Sequence, residues 1–158
     1  MGAVSIDLPA RLVVKRPALA VIVIIVGALW YLRDPAWVID QTTGLRPWQR
    51  ESDGRLVRWS GGHASFFVPA DAGEVRIPIS TTFDWREPDG GQPMVVTFTI
   101  DGTKAARVLL TDPGWRDVTL TLPRPGSRRV RRVEVRTSVT RADNHGVRIG
   151  QPCCYLSR

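Results

Sequence analysis

At 158 residues the chain has room for one folded domain and an appendage. Its formal charge of +7, carried almost wholly by arginine because Lys15 and Lys104 are the only lysines, suits an acidic partner such as nucleic acid, anionic lipid or anionic glycan. The two cysteines, Cys153 and Cys154, are adjacent, which excludes a disulfide framework and leaves the fold to rest on apolar burial.

The first element expected is a membrane anchor. Residues 17–32, PALAVIVIIVGALWYL, carry no charge. As a helix they span about 24 Å at 1.5 Å per residue, a little short of a hydrocarbon core of about 30 Å. Leu12, Val13 and Val14 extend the apolar run, and Lys15 and Arg16 are placed to snorkel to headgroups. Trp30 and Tyr31 stand where an interfacial aromatic belt belongs. A cleaved signal peptide needs two small residues, one residue apart, after the apolar run. The sequence Ala28-Leu29-Trp30-Tyr31-Leu32-Arg33-Asp34 supplies no such pair. Arg11, Lys15 and Arg16 before the run put the N-terminus in the cytoplasm by the positive-inside rule. The expected organisation is a cytoplasmic segment (1–16), a single-pass anchor in the inner or plasma membrane (17–32), a linker broken by Pro35, Gly44 and Pro47 (33–54), and an extracytoplasmic domain (55–158).

From Arg55 the pattern changes to short alternating segments separated by Gly, Pro and Asp. Val57 and Trp59 share a face of a first strand, and Ala64, Phe66 and Val68 a face of a second. Val75, Ile77 and Ile79 follow, with Pro78 marking an edge or a bulge because it has no ladder donor. Val96, Phe98 and Ile100 lead into Asp101-Gly102, a tight-turn pair, and Ala106, Val108 and Leu110 return. After the turn at Pro113-Gly114 come Val118, Leu120 and Leu122, then the arginine-rich "RRVRRVEVRTSV" and a last segment, "HGVRIG". This predicts an all-β fold, a jelly-roll-like β-sandwich of about eight strands preceded by one transmembrane helix.

The stretch "GLRPWQRESDGRLVRWSGGHASFFVP", with Gly44, Glu51 and Arg58-Trp59-Ser60, and the later "VTFTIDGTKAARVLLTDPGWRDVTLTLP", with Gly102 and Trp115, resemble extracytoplasmic jelly-roll modules. Such modules accompany bacterial membrane glycosyltransferases and cell-envelope polysaccharide machinery. The resemblance covers roughly residues 44–150 and implies a carbohydrate-binding-like sandwich with no catalytic residues to carry over.

The arginine run, read as a nucleic-acid grip, fails on two counts. Val133, Val135, Thr137 and Val139 share one face, and Arg132, Glu134, Arg136 and Ser138 the other, so Glu134 dilutes any phosphate-binding stripe. A domain outside the membrane also does not meet nucleic acid. Arg124, Arg128 and Arg129 are left as contacts for anionic headgroups or polymer. Trp59 and Trp115, beside apolar neighbours, are expected as core anchors. The long loop 80–93, "STTFDWREPDGGQP", offers Phe83, Asp84, Trp85, Arg86 and Glu87 as the binding site, an aromatic face with charged groups for sugar hydroxyls. Asp84, Glu87 and Asp89 are near enough in sequence for a glycoside-hydrolysing acid pair but stand on a loop with no expected cleft, and His63 and His145, in turns beside glycines, show no Ser-His-Asp pattern. No metal spacing is present and no cofactor is expected, although a calcium held by loop acids stays open. Cys153 and Cys154 are expected as small apolar residues of the last strand or tail rather than as a strained vicinal disulfide. The leading expectation is a non-catalytic, membrane-anchored module binding a glycan or a partner protein of an envelope polysaccharide pathway. The alternatives are an assembly subunit packed on a multispanning membrane protein, or an exported hydrolase.

Overall fold

Alternation of apolar and polar residues becomes a two-sheet sandwich in the computed structural model, which describes residues 16–33, 35–82, 92–124, 128–140 and 145–156. The chain divides into two units, the second beginning at Ala36. In the first, helix α1 (Arg16–Arg33) coincides with the apolar run. It is about 27 Å long at 1.5 Å per residue, and its side chains from Pro17 to Tyr31 are all exposed. Among the described residues, no helix is long and apolar enough to cross a membrane.

The second unit carries a 3-10 turn, η1 (Ala36–Asp40), and ten described strands: β1 (Thr42–Leu45), β2 (Gln49–Arg50), β3 (Leu56–Pro69), β4 (Ala72–Ser80), β5 (Met94–Ile100), β6 (Thr103–Leu110), β7 (Arg116–Thr121), β8 (Val130–Thr137), β9 (Arg148–Gly150) and β10 (Cys153–Leu156). All ladders are antiparallel. Sheet A runs β1-β3-β8-β5-β6, and sheet B runs β7-β4-β9-β3-β2 with β10 beside β4 beyond the end of β9. The core lies between them. Phe66, Val68, Val96, Phe98, Val133 and Val135 of sheet A meet Val75, Ile77, Ile79, Val118, Leu120 and Ile149 of sheet B. The apolar faces read from the alternation of β4, β5, β7 and β8 are therefore the core faces.

Three expectations change. The count is ten described strands rather than about eight, and the stretch before Arg55 carries η1, β1 and β2, with both strands paired to β3. The segments around Val57 and Phe66 are one strand, not two. Residues 56–59 of β3 pair with β2 and β9 in sheet B, and residues 60–69 pair with β1 and β8 in sheet A. The change of sheet is made at Gly61-Gly62. There β1 advances from Thr43 to Leu45 while its partner on β3 moves from Ser65 to Ser60, so β3 bulges rather than stops. Gly146 packs against the bulge, and a Cβ on it would lie 2.7 Å from the Gly61 carbonyl oxygen, so glycine alone fits there.

Pro78 does not sit on an edge strand. β4 lies between β7 on one side and β9 with β10 on the other. The irregularity expected of Pro78 falls on the partner instead. From Ile79 to Arg76 is three steps on β4 while Ile149 to Cys153 is four, so one extra residue is accommodated at Gln151-Pro152 opposite Pro78. The Asp101-Gly102 turn forms as read, with both residues at positive φ, 49° and 83°. The final strand carries both cysteines, and Cys153 is an exposed free thiol.

Candidate functional site

Register decides which side chains leave the sandwich. Ile149 belongs to the core and pairs with Ile79 and Arg58. Its neighbours in sequence, Arg148 and Gly150, therefore face outward and pair with Trp59 and Val57. Arg148 also faces Ser80 across the ladder. On this outer face of sheet B, aromatic and cationic groups alternate. His145 stacks on Trp59 with centroids 4.8 Å apart and planes 23° from parallel. The Arg148 guanidinium lies 5.9 Å from the Trp59 centroid and 5.2 Å from that of Trp115, and Arg55 lies 4.7 Å from Trp115. Arg148 is held firmly: one terminal nitrogen donates to Glu51 Oε1 at 2.9 Å and the other to the Thr81 carbonyl at 3.4 Å. Next to this ladder is an open cleft of about 450 Å³. Arg55, Trp115, Asp117 and Gln151 line it, together with Pro78 and Gly150.

Trp59 and Trp115 are thus not core anchors. Both are half-buried and belong to the outer-face ladder. Val57 is buried but lies outside the main core cluster, on the same outer side as Trp59.

A second cleft, of about 420 Å³, is lined by Ile39 and Asp40 of η1, Trp48, Arg58, Phe67 and Pro152. Gln151 also reaches it, so the irregular β9–β10 link borders both clefts. Arg58 pairs with the core residue Ile149 and so projects on the inner side of sheet B. Its guanidinium lies 4.3 Å from the Trp48 centroid. Burial pushes its pKa below the usual arginine value, as expected of a cation partly withdrawn from water.

The loop residues Phe83, Asp84, Trp85, Arg86 and Glu87 lie outside the described residues. The root of that loop is described: Thr81 is buried and accepts the hydrogen bond from Arg148. The arginine strand resolves into local pairs. Glu134 receives Arg132 at 3.4 Å, His63 at 3.5 Å and Arg136 at 3.8 Å, and Arg131 bonds Asp101 at 2.9 Å. Among the described residues, no group of three or more His, Cys, Asp and Glu is placed to hold a metal ion. The arginine–tryptophan arrangements were missed by period-two reading, which tells residues on one face from those on the other but not the inside from the outside.

No protein-family model matches the chain, and no curated protein matches it. Among solved structures it is similar to a family two carbohydrate esterase from Clostridium thermocellum, at 11% identity and a TM-score of 0.47. That match covers 75% of this chain and 33% of the esterase. A family two carbohydrate esterase from Cellvibrio japonicus matches at 15% identity and a TM-score of 0.47, over 73% of this chain and 31% of that one. The CBM51-2 and INT domains of ZmpB from Clostridium perfringens match at 9% identity and a TM-score of 0.42, over 75% and 28%. The chain thus spans about a third or less of the length of each.

Proposed function

We propose that this chain is a membrane-anchored, non-catalytic sandwich module whose outer-face cleft binds a glycan of the cell envelope. The observation that carries this reading is the convergence in one open cleft of an indole, a carboxylate, an amide and a guanidinium: Trp115, Asp117, Gln151 and Arg55. A sugar ring needs an apolar wall for its C–H face and paired donors and acceptors for its hydroxyls. Trp115 and Pro78 offer the wall, and the other three supply both kinds of polar group.

Anchoring is the other half of the proposal. A helix with Leu19, Ile24 and Leu29 each more than half exposed leaves an apolar surface that water does not tolerate alone. In the sequence Leu12-Val13-Val14 adds further apolar residues ahead of α1. The test uses the full chain, solubilised in non-ionic detergent and immobilised, against a panel of envelope polysaccharides. Retention of at least one polymer is expected, reduced about tenfold by Trp115→Ala, in line with the loss of one aromatic contact. A panel on which the unmodified chain retains nothing above a neutral dextran control refutes the glycan reading. Extraction of the chain from membranes by alkaline carbonate refutes the anchor.

A further inference from the structure

Among the described residues, three arginines of the sandwich, Arg58, Arg131 and Arg148, bury Nε without a hydrogen-bond partner. Two of them are compensated at their outer nitrogens, Arg131 by Asp101 and Arg148 by Glu51, both at 2.9 Å. Arg58 differs, because among the described residues its guanidinium has no ion pair and no hydrogen bond, only the Trp48 ring. A guanidinium half withdrawn from water loses hydration that a ring alone does not replace. It also sits at the side of a cleft large enough to admit a ligand.

We propose that this second cleft is the seat of an acidic sugar unit, with its carboxylate or phosphate oxyanion on Arg58 and a hydroxyl on Asp40. The oxyanion follows from the donors: a planar fork with no carboxylate on it among the described residues is matched by two oxygens of one anion. The sugar follows from the rest of the lining. Asp40 borders the same cleft without pairing with Arg58, and it repels a bare anion unless the ligand also brings a hydroxyl to donate to it. Trp48, Ile39, Phe67 and Pro152 supply apolar walls suited to the C–H face of a ring. The chain's excess positive charge favours the approach of such a polymer. The proposal shares the glycan class of the preceding reading but uses none of the outer-face cleft.

The experiment follows the Arg58 Nε–H resonance of the full chain, ¹⁵N-labelled in non-ionic detergent and assigned by its loss in Arg58→Lys. Sodium glucuronate and glucose 6-phosphate are the acidic probes; glucose, inorganic phosphate and sodium chloride at equal ionic strength are the controls. The expected result is a saturable shift with at least one acidic sugar, about tenfold weaker or absent with glucose and with phosphate. Asp40→Asn is expected to bring inorganic phosphate and the acidic sugar closer in affinity. The Arg58→Gln variant, its fold checked by thermal melting, is expected to lose the acidic-sugar perturbation of the Trp48 indole N–H. No saturable response to either acidic sugar, an equal response to phosphate alone, or an indole response retained in Arg58→Gln overturns the proposal. Trp115→Ala is expected to leave the Arg58 shift intact. A failed polysaccharide panel beside a positive Arg58 titration therefore removes the outer-face site and not this one.

Discussion

Arg148 and Arg58 stand on adjacent strands of the same sheet, one outside it and one inside, each beside tryptophan. Arg148 has Glu51 and the Thr81 carbonyl to neutralise and orient it, and its side chain is 17% exposed. Arg58 has Trp48 and a cleft. The difference teaches that an arginine–indole contact does not by itself mark a binding site. The counter-charge separates these two: with Glu51 beside it Arg148 is a brace, and Arg58, with no described carboxylate on it, is the proposed receptor for one.

The largest effect should come from removing what the two arginines share. Ile149 is fully buried between them, and Ile149→Ala should cost about 2–5 kcal/mol, read by urea unfolding. Both clefts should loosen together. Breaking the brace alone comes next. Glu51→Gln leaves Arg148 partly buried without its carboxylate and should destabilise by about 1–3 kcal/mol. A double-mutant cycle with Arg148→Met should recover much of that loss, and full additivity would show that the pair is not a brace. By contrast, Arg58→Met removes a cation that no carboxylate among the described residues compensates, so stability should stay within about 0.5 kcal/mol or rise. A loss comparable with that of Glu51→Gln would erase the distinction.

The smallest effect concerns an exposed pair that serves as a reference. The Gly114 amide donating to Asp112, helped by Arg116 at 2.8 Å, holds the Asp112 carboxyl below the usual aspartate value. A depressed folded-state pKa stabilises the fold above the unfolded-state value, and the contribution is lost as pH falls through the folded one. Asp112→Asn should therefore change stability slightly at neutral pH and not at all in strong acid, as thermal melts across the acid range would show.

Much of the sandwich was legible because its core strands alternate at their apolar positions: Ile77 and Ile79, Val96 and Phe98, Val118 and Leu120, Val133 and Val135 are all buried as pairs on one face. The site was less so. Val57 and Trp59 do share a face, but nothing in a three-residue alternation says that Ile149 would take the inner side and turn them outward. Gly61-Gly62 reads as a break between two strands because glycine usually weakens a strand, and here it is the bend of one. The emptiness around Arg58 depends on where Asp40, Glu51 and Asp117 fall in three dimensions, which spacing along the chain does not encode.

That continuous bend has a consequence for how the molecule comes apart. Because β3 is hydrogen-bonded into sheet B at Val57 and into sheet A at Phe66, neither sheet can fray past it without stripping the other. Neither half of the sandwich should therefore melt alone. Amide protons on either side of the bend should thus exchange with solvent through one shared opening, at one level of protection, and a pull on either sheet should be felt by both.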